Sequence, residues 1–232
     1  MRNRAAKALI FPFEDRDWLR KIAIGGALGL ALQAIFVGAG YLLTRETTLE
    51  LSPLAQAANF PTLGFVLLVF RGALAAPQAE AMPEWGGWPG LCLRGLVLFV
   101  LGLGYGALPL LLIILGFGLL VSGGVALVLG LVMMLLGMLA GLTLGFFIPM
   151  AVARHLEERR LEAAFNPVAV WSRITKVLPE YVGAYLVAIG SFIVAGLVGA
   201  VPYVGVVVWP FLTFYLLVAN ARLVGGVCSG AG

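Results

Sequence analysis

The residues that could do chemistry are few and scattered. His155 is the single histidine and stands beside Glu157 and Glu158, while Cys92 and Cys228, the two cysteines, sit at the edges of apolar runs. A zinc site draws on three or four clustered ligands, so one histidine beside two glutamates reads as a solvated helix end. It also leaves no pattern for a histidine-ligated haem or chlorophyll. The cysteines form neither a metal motif nor a disulfide framework and read as small apolar packing residues. Cys228 opens a Cys-Ser-Gly-Ala-Gly ending, one residue too long for a prenylation box. No nucleophile stands with a base and no carboxylate pair lies inside an apolar run. The expectation is a chain without a catalytic, cofactor or metal site.

The elements that would carry such groups are built for lipid. The chain has 232 residues, of which 62% are hydrophobic and only 11% charged, against about 25% charged in an ordinary soluble domain. From Gly95 to Ala153 no side chain is charged. A membrane-crossing helix needs about 20 apolar residues, so this stretch holds two spans, split at Ser122-Gly123-Gly124 by the residues that favour a turn. The other uncharged windows are Ile22–Thr44, Leu51–Phe70 and Tyr181–Ala221, the last broken near Val201-Pro202. The reading is an all-α, polytopic transmembrane helical bundle of about six spans, near residues 21–43, 60–76, 93–121, 125–153, 180–200 and 203–226. Residues 1–20 form an amphipathic N-terminal arm, and residues 21–232 form a single transmembrane domain. The first run is too long for a signal-peptide core and should remain as an anchor.

Charge distribution decides the doubtful second span, whose start is crowded by Ser52, Pro53, Gln56, Asn59 and Pro61. With six spans, every Lys and Arg except Arg45 falls on one side, as the positive-inside rule asks. With five, the basic arm and the basic 154–176 segment would face opposite sides. Both termini are therefore expected to be cytoplasmic, and the 44–59 connection outside. The formal net charge of +4 flanks the apolar runs, which suits anionic lipid and not nucleic acid.

Two surface helices are expected. Asn166 and Pro167 suit an N-cap and first helical position, and Val170, Trp171, Ile174, Val177 and Leu178 then share a face. Residues 166–178 read as an interfacial helix that Pro179 ends, with Trp171, Arg173 and Lys176 toward lipid headgroups or a partner. In the arm, Ala6, Leu9 and Ile10 oppose Arg2, Arg4 and Lys7. Phe11-Pro12-Phe13 should break it, with Asp15 or Asp17 capping the next helix. Arg154 to Glu162 should extend the fourth span as a solvated helix. Gly137, Gly141 and Gly145 form a small-xxx-small ridge for close helix packing, within the chain or between subunits. Pro109, Pro149 and Pro210 lie within spans and should kink them. No Asp, Glu, Lys or Arg lies deep in a span, where ion-coupled transport usually needs one.

Four local patterns together resemble a known family. They are Phe11-Pro12-Phe13-Glu14-Asp15 with Trp18-Leu19-Arg20-Lys21-Ile22 and Ile24-Gly25-Gly26; Met82-Pro83-Glu84-Trp85 with Trp88; Val152-Ala153-Arg154 leading into Ala163-Ala164-Phe165; and Tyr181 opening a late span, with Pro210-Phe211-Leu212-Thr213-Phe214-Tyr215 in the last. The chain resembles, over nearly its whole length, the prokaryotic integral membrane family catalogued as domain of unknown function 4013. It departs at Gly86-Gly87, where the family typically has acidic residues, and at an apparent insertion around Tyr41 to Thr62. The resemblance implies a multi-span membrane protein and carries no activity to transfer. Trp85 and Trp88 read as interfacial anchors or partner contacts. The function expected is a non-catalytic accessory or scaffold subunit packing against another membrane protein or itself. The alternative is a transporter or channel for a lipid-like or uncharged solute.

Overall fold

The computed structural model describes residues 2–44, 59–77, 81–201 and 204–231. These form an all-α helical bundle: α1 (Arg2–Glu14), α2 (Trp18–Thr44), α3 (Phe60–Ala75), α4 (Trp88–Ser122), α5 (Val125–Glu158), the short α6 (Leu161–Ala164), α7 (Pro167–Lys176), α8 (Leu178–Gly199) and α9 (Val204–Cys228), ending in a 3₁₀ turn at Ser229–Ala231. Among the described residues, five helices are long and apolar enough to cross a membrane: α2, α4, α5, α8 and α9 with its 3₁₀ tail. The sixth expected span, α3, has 16 residues. It rises about 24 Å, short of the roughly 30 Å hydrocarbon core. The expected outward loop lies between Thr44 and Asn59, outside the described residues, as does Pro202.

The chain falls into two compact units, Met1–Phe99 with Ile174–Gly232, and Val100–Arg173. In the first, α9 is the most enclosed of the long helices, apolar on all sides as a central helix must be. It is bordered by α1, α2, α3 and α8. The direction of α3 follows from its contacts. Phe65 meets Phe214, while Gly225 approaches Phe70 and Ala73, so α3 and α9 run parallel. Gly25 meets Phe214 and Gly26 meets Phe211, so α2 runs antiparallel to both. The chain thus leaves along α2 and returns along α3.

Glycines set the closest helix approaches in both units. A Cβ on Gly64 would stand 2.0 Å from the Leu91 carbonyl oxygen, and one on Gly95 would stand 1.8 Å from that of Phe60. The α3 and α4 backbones therefore cross in contact. In the second unit, Gly116 of α4 and Gly130 of α5 face each other. A Cβ on Gly130 would lie 2.6 Å from the Gly116 oxygen, and one on Gly137 would lie 2.8 Å from the Ile113 side chain. A Cβ on Gly141 would meet Pro109 at 3.6 Å, an ordinary contact. Gly145 is half-buried. The tight stripe is thus Gly130 with Gly137, two helical turns apart, reaching toward the turn. At that turn Gly123 and Gly124 take φ of 72° and 59°, a left-handed region that residues with a Cβ rarely enter.

Several expectations are corrected. Pro12 does not break α1; the helix runs through it to Glu14. Pro12 is fully buried, and the nearby Leu9 carbonyl accepts the Tyr215 hydroxyl, so packing on α9 offsets the helical hydrogen bond that a proline removes. The buried face of α1 is Ala8, Phe11 and Pro12, with Ile10 more than half exposed. The solvated extension of α5 stops at Glu158, because Arg159 turns left-handed at φ 56°. Pro179 does not end the interfacial helix. That helix ends at Lys176, Val177 forms the break, and Pro179 sits in the first turn of α8, where its missing N–H has no helical partner to lose. The segment 88–92 is already helix, so Trp88 opens α4.

The glycine contacts predict graded effects. Gly137→Leu should lower stability by about 1–3 kcal/mol or more through overpacking, and Gly95→Leu should prevent folding, since only backbone faces the new side chain. Gly141→Ala should be tolerated within about 0.5 kcal/mol. Thermal unfolding of the purified variants in one detergent checks the order.

Candidate functional site

The first, second and fourth family-like patterns meet at one end of the first unit. Asp15 lies in the turn between α1 and α2, where its Oδ1 accepts the Asp17 N–H at 2.8 Å, so Asp15 holds the start of α2. Its Oδ2 accepts the Met82 N–H at 2.8 Å and the Lys21 ammonium at 2.9 Å. Lys21 returns a hydrogen bond to the Met82 carbonyl at 3.0 Å and pairs with Glu84 at 2.6 Å. The ammonium thus has a partner for each of its three protons. The Lys21 and Asp15 side chains are only 4% and 5% exposed, whereas that of Glu84 is 71% exposed. The pair with Asp15 therefore acts in a poorly screened setting, and the Glu84 contact is worth about 0–1 kcal/mol.

Burial alone would push the Asp15 carboxyl up. The Lys21 ammonium and the Asp17 and Met82 N–H groups outweigh it and hold the carboxyl below its ordinary value. Aromatic rings close over this node. The Trp85 indole N–H donates to the Lys21 carbonyl at 3.0 Å, and its ring stacks on Phe65 at 4.4 Å and lies near Trp88 and Phe214. Phe13 packs edge-on against Trp18 at 4.5 Å and against Tyr215 at 5.6 Å. The Phe214 and Phe211 rings occupy the notch opened by Gly25 and Gly26.

Beside the node lies a cleft of about 220 Å³ lined by Phe11, Leu68, Val69, Gly72, Ala73, Ala81, Met82, Pro83 and Arg222. Arg222 donates to the Ala76 and Pro77 carbonyls at 3.3 and 2.8 Å, capping the end of α3. Its guanidinium lies 4.8 Å over the Phe11 ring.

The third pattern lies in the second unit. The Tyr105 hydroxyl donates to the Ala164 carbonyl at 2.6 Å, the Phe165 ring stacks on Tyr105, and Gly104 gives Phe165 its space. Arg154 is buried and pairs with Glu158 at 2.6 Å. Asn166 caps α7 by accepting the Ala169 N–H at 3.1 Å. Trp171 stacks on Phe147 at 6.0 Å and is 46% exposed. Arg173 pairs with Glu157, and in the first unit Lys176 donates to the Ala231 carbonyl at 3.2 Å.

The residues singled out from the sequence thus take different places. Trp85 is engaged within the fold, Trp88 remains half exposed, and both α7 cations have intramolecular partners. The sequence reading missed the Asp15–Lys21–Met82 lock and the Gly64–Gly95 crossing. A lysine at the threshold of an apolar run was the available signal for the first. The spacing of six between Asp15 and Lys21 is not that of a helical pair, because Asp15 lies in a turn. Among the described residues no group of three or more His, Cys, Asp or Glu is placed to hold a metal ion.

Asp15→Asn should cost about 3–5 kcal/mol, since it leaves Lys21 buried with its main counter-charge gone; Glu84→Gln should cost under about 1 kcal/mol. The folded pKa of Asp15 lies below the unfolded one. Its contribution is therefore full above about pH 5, a unit over the free carboxylate's roughly 3.9, and disappears as pH falls through the folded value. Unfolding midpoints between pH 7 and pH 2 should fall less steeply in Asp15→Asn than in the native chain.

Neither a curated protein nor a solved structure matches this chain. A family model matches residues 53–204, which take in the Met82–Trp88 loop and the Val152–Phe165 pattern. The Phe11–Gly26 and Pro210–Tyr215 patterns lie outside the matched stretch, so the match is narrower than the resemblance read from the sequence. It begins at residue 53, inside the stretch that reads as an insertion. The chain belongs to the family described as protein of unknown function, DUF4013.

Proposed function

We propose that this chain is a multi-pass protein of a prokaryotic cell membrane, with both termini cytoplasmic. It works there as a non-catalytic accessory or scaffold subunit that packs against another membrane protein or a second copy of itself. The observation that carries this reading is the apolar flank of the α4–α5 hairpin. Leu110, Leu111, Ile114, Leu131, Leu135 and Leu139 are each about half exposed, and the hairpin carries no charged side chain from Gly95 to Ala153. Such a surface is stable only against lipid or another membrane helix. Asp15 and Lys21 support the reading differently: they hold elements of the first unit together, which suits a framework. The one-sided placement of basic residues supports the cytoplasmic termini, and the return of the chain along α3 is what six traverses require.

Native mass spectrometry of the chain extracted gently from its own membranes tests the proposal. The expected result is a stoichiometric complex with a second membrane protein or a defined homo-oligomer. A chain that stays alone and monomeric would overturn it. Retention of an uncharged solute by that lone monomer would move the weight to transport.

A further inference from the structure

We infer that the segment after α5, residues 161–173, is an in-plane foot seated in the upper acyl region of the bilayer. Its lipid-facing edge is Phe165, Val168 and Trp171, and this edge is distinct from the amphipathic face that packs on protein. The inference rests on the membrane setting of the proposed function but not on the scaffold role.

The face that helical periodicity selects is already occupied, since Val170 is fully buried. A second apolar edge is left over. Phe165 and Trp171 are nearly half exposed, and Val168 is 78% exposed. Val168 and Trp171 stand three residues apart in α7, so they are neighbours on the helix surface. Phe165 ends α6 and precedes Val168 by the same interval. From Ala163 to Ser172 the segment carries no charged side chain.

Height along the α4–α5 hairpin decides what covers this edge, and all the groups concerned belong to the second unit. The chain turns back at Arg159. Phe165 then rests on Tyr105, in the notch at Gly104, and Trp171 rests on Phe147. Gly104, Tyr105 and Phe147 all fall within the uncharged stretch from Gly95 to Ala153, so the segment lies along the apolar stem. Arg173, by contrast, pairs with Glu157 in the charged end of α5. Phe147 and Glu157 are separated by about 15 Å along the helix axis. Thus α7 straddles the line where α5 passes from uncharged to charged, with its indole on the apolar side and its guanidinium on the polar side. A bilayer interface imposes that division on tryptophan and arginine. A water-soluble partner would meet the charged end instead. Arg154, Arg160 and Arg173 each pair with a glutamate, so acyl contact defines the occupant and a neutral phospholipid suffices.

The test places the photo-crosslinker p-benzoylphenylalanine at Val168 of the full chain and, in a second sample, at Leu139, which is half exposed on α5. Both side chains point away from the protein, and an unchanged unfolding temperature checks that each variant is folded. The samples are reconstituted in dioleoyl phosphatidylcholine vesicles, irradiated and measured by intact mass spectrometry. Each should gain one phospholipid mass. Fragmentation should place the Val168 crosslink in the glycerol half of the acyl chain, about 5–10 Å into the headgroup–acyl boundary, and the Leu139 crosslink in the methyl half. A lipid adduct at Leu139 with none at Val168 would overturn the inference, because the segment then lies in water. A protein adduct at Val168 overturns it as well, showing a docking surface for another chain, and a Val168 crosslink in the methyl half removes the interfacial placement. No lipid adduct at either site overturns the membrane setting itself.

Discussion

A charged ammonium group lies under the surface of an apolar bundle, and the arrangement around it follows from that. Lys21 opens the first apolar run, where it could have extended into the headgroup region as lysines at span ends commonly do. Instead it is enclosed by Asp15, the Met82 carbonyl and Glu84. An ammonium cannot be enclosed without partners for its protons, so the α1–α2 turn and the loop after α3 must come to it together. Asp15 in turn needs the Met82 N–H. The result is a two-way clamp between chain segments more than sixty residues apart. It fixes the direction of α3 and sets Trp85 against Phe65.

Around this clamp the bundle is organised by size as much as by polarity. In lipid the apolar effect does little to draw helices together, and close packing carries more of the association. The chain answers with glycines at the crossings: Gly64 with Gly95, Gly116 with Gly130, and Gly25 and Gly26 receiving two phenylalanine rings. These contacts tie two separate patterns together, Phe-Leu-Thr-Phe in α9 and Gly-Gly in α2, since the rings of one need the missing side chains of the other. The same logic separates Gly137, which faces α4 tightly, from Gly141, which has room.

The interfacial helix shows how tertiary contacts recast an amphipathic pattern. Its buried residues, Val170 and Ile174, are those that helical periodicity selects. Its cations also have partners within the chain: Arg173 pairs with Glu157, and Lys176 donates to the Ala231 carbonyl. Trp171 keeps an exposed edge while stacking on Phe147. The helix is therefore tied into the protein by the same residues that composition suggests for lipid.

What the sequence determined by itself was class and periodicity. The uncharged stretch from Gly95 to Ala153 could only be long apolar helices, the Ser122-Gly123-Gly124 turn was written in residues that tolerate positive φ, and Asn166-Pro167 announced a helix start that the fold uses. These are local properties, set by transfer to lipid and by backbone sterics. What only the tertiary structure decided was which groups meet. That Asp15 is enclosed with Lys21 and Met82, that Pro12 stays inside a helix, and that Gly130 joins Gly137 in the tight contacts with α4 all depend on neighbours distant in the chain. The cleft under Arg222 depends on them as well, because α1, α3 and α9 converge there only after folding. The physical reason is common to all: a buried charge or a close backbone approach is worth what its partners make it, and the partners are chosen by packing.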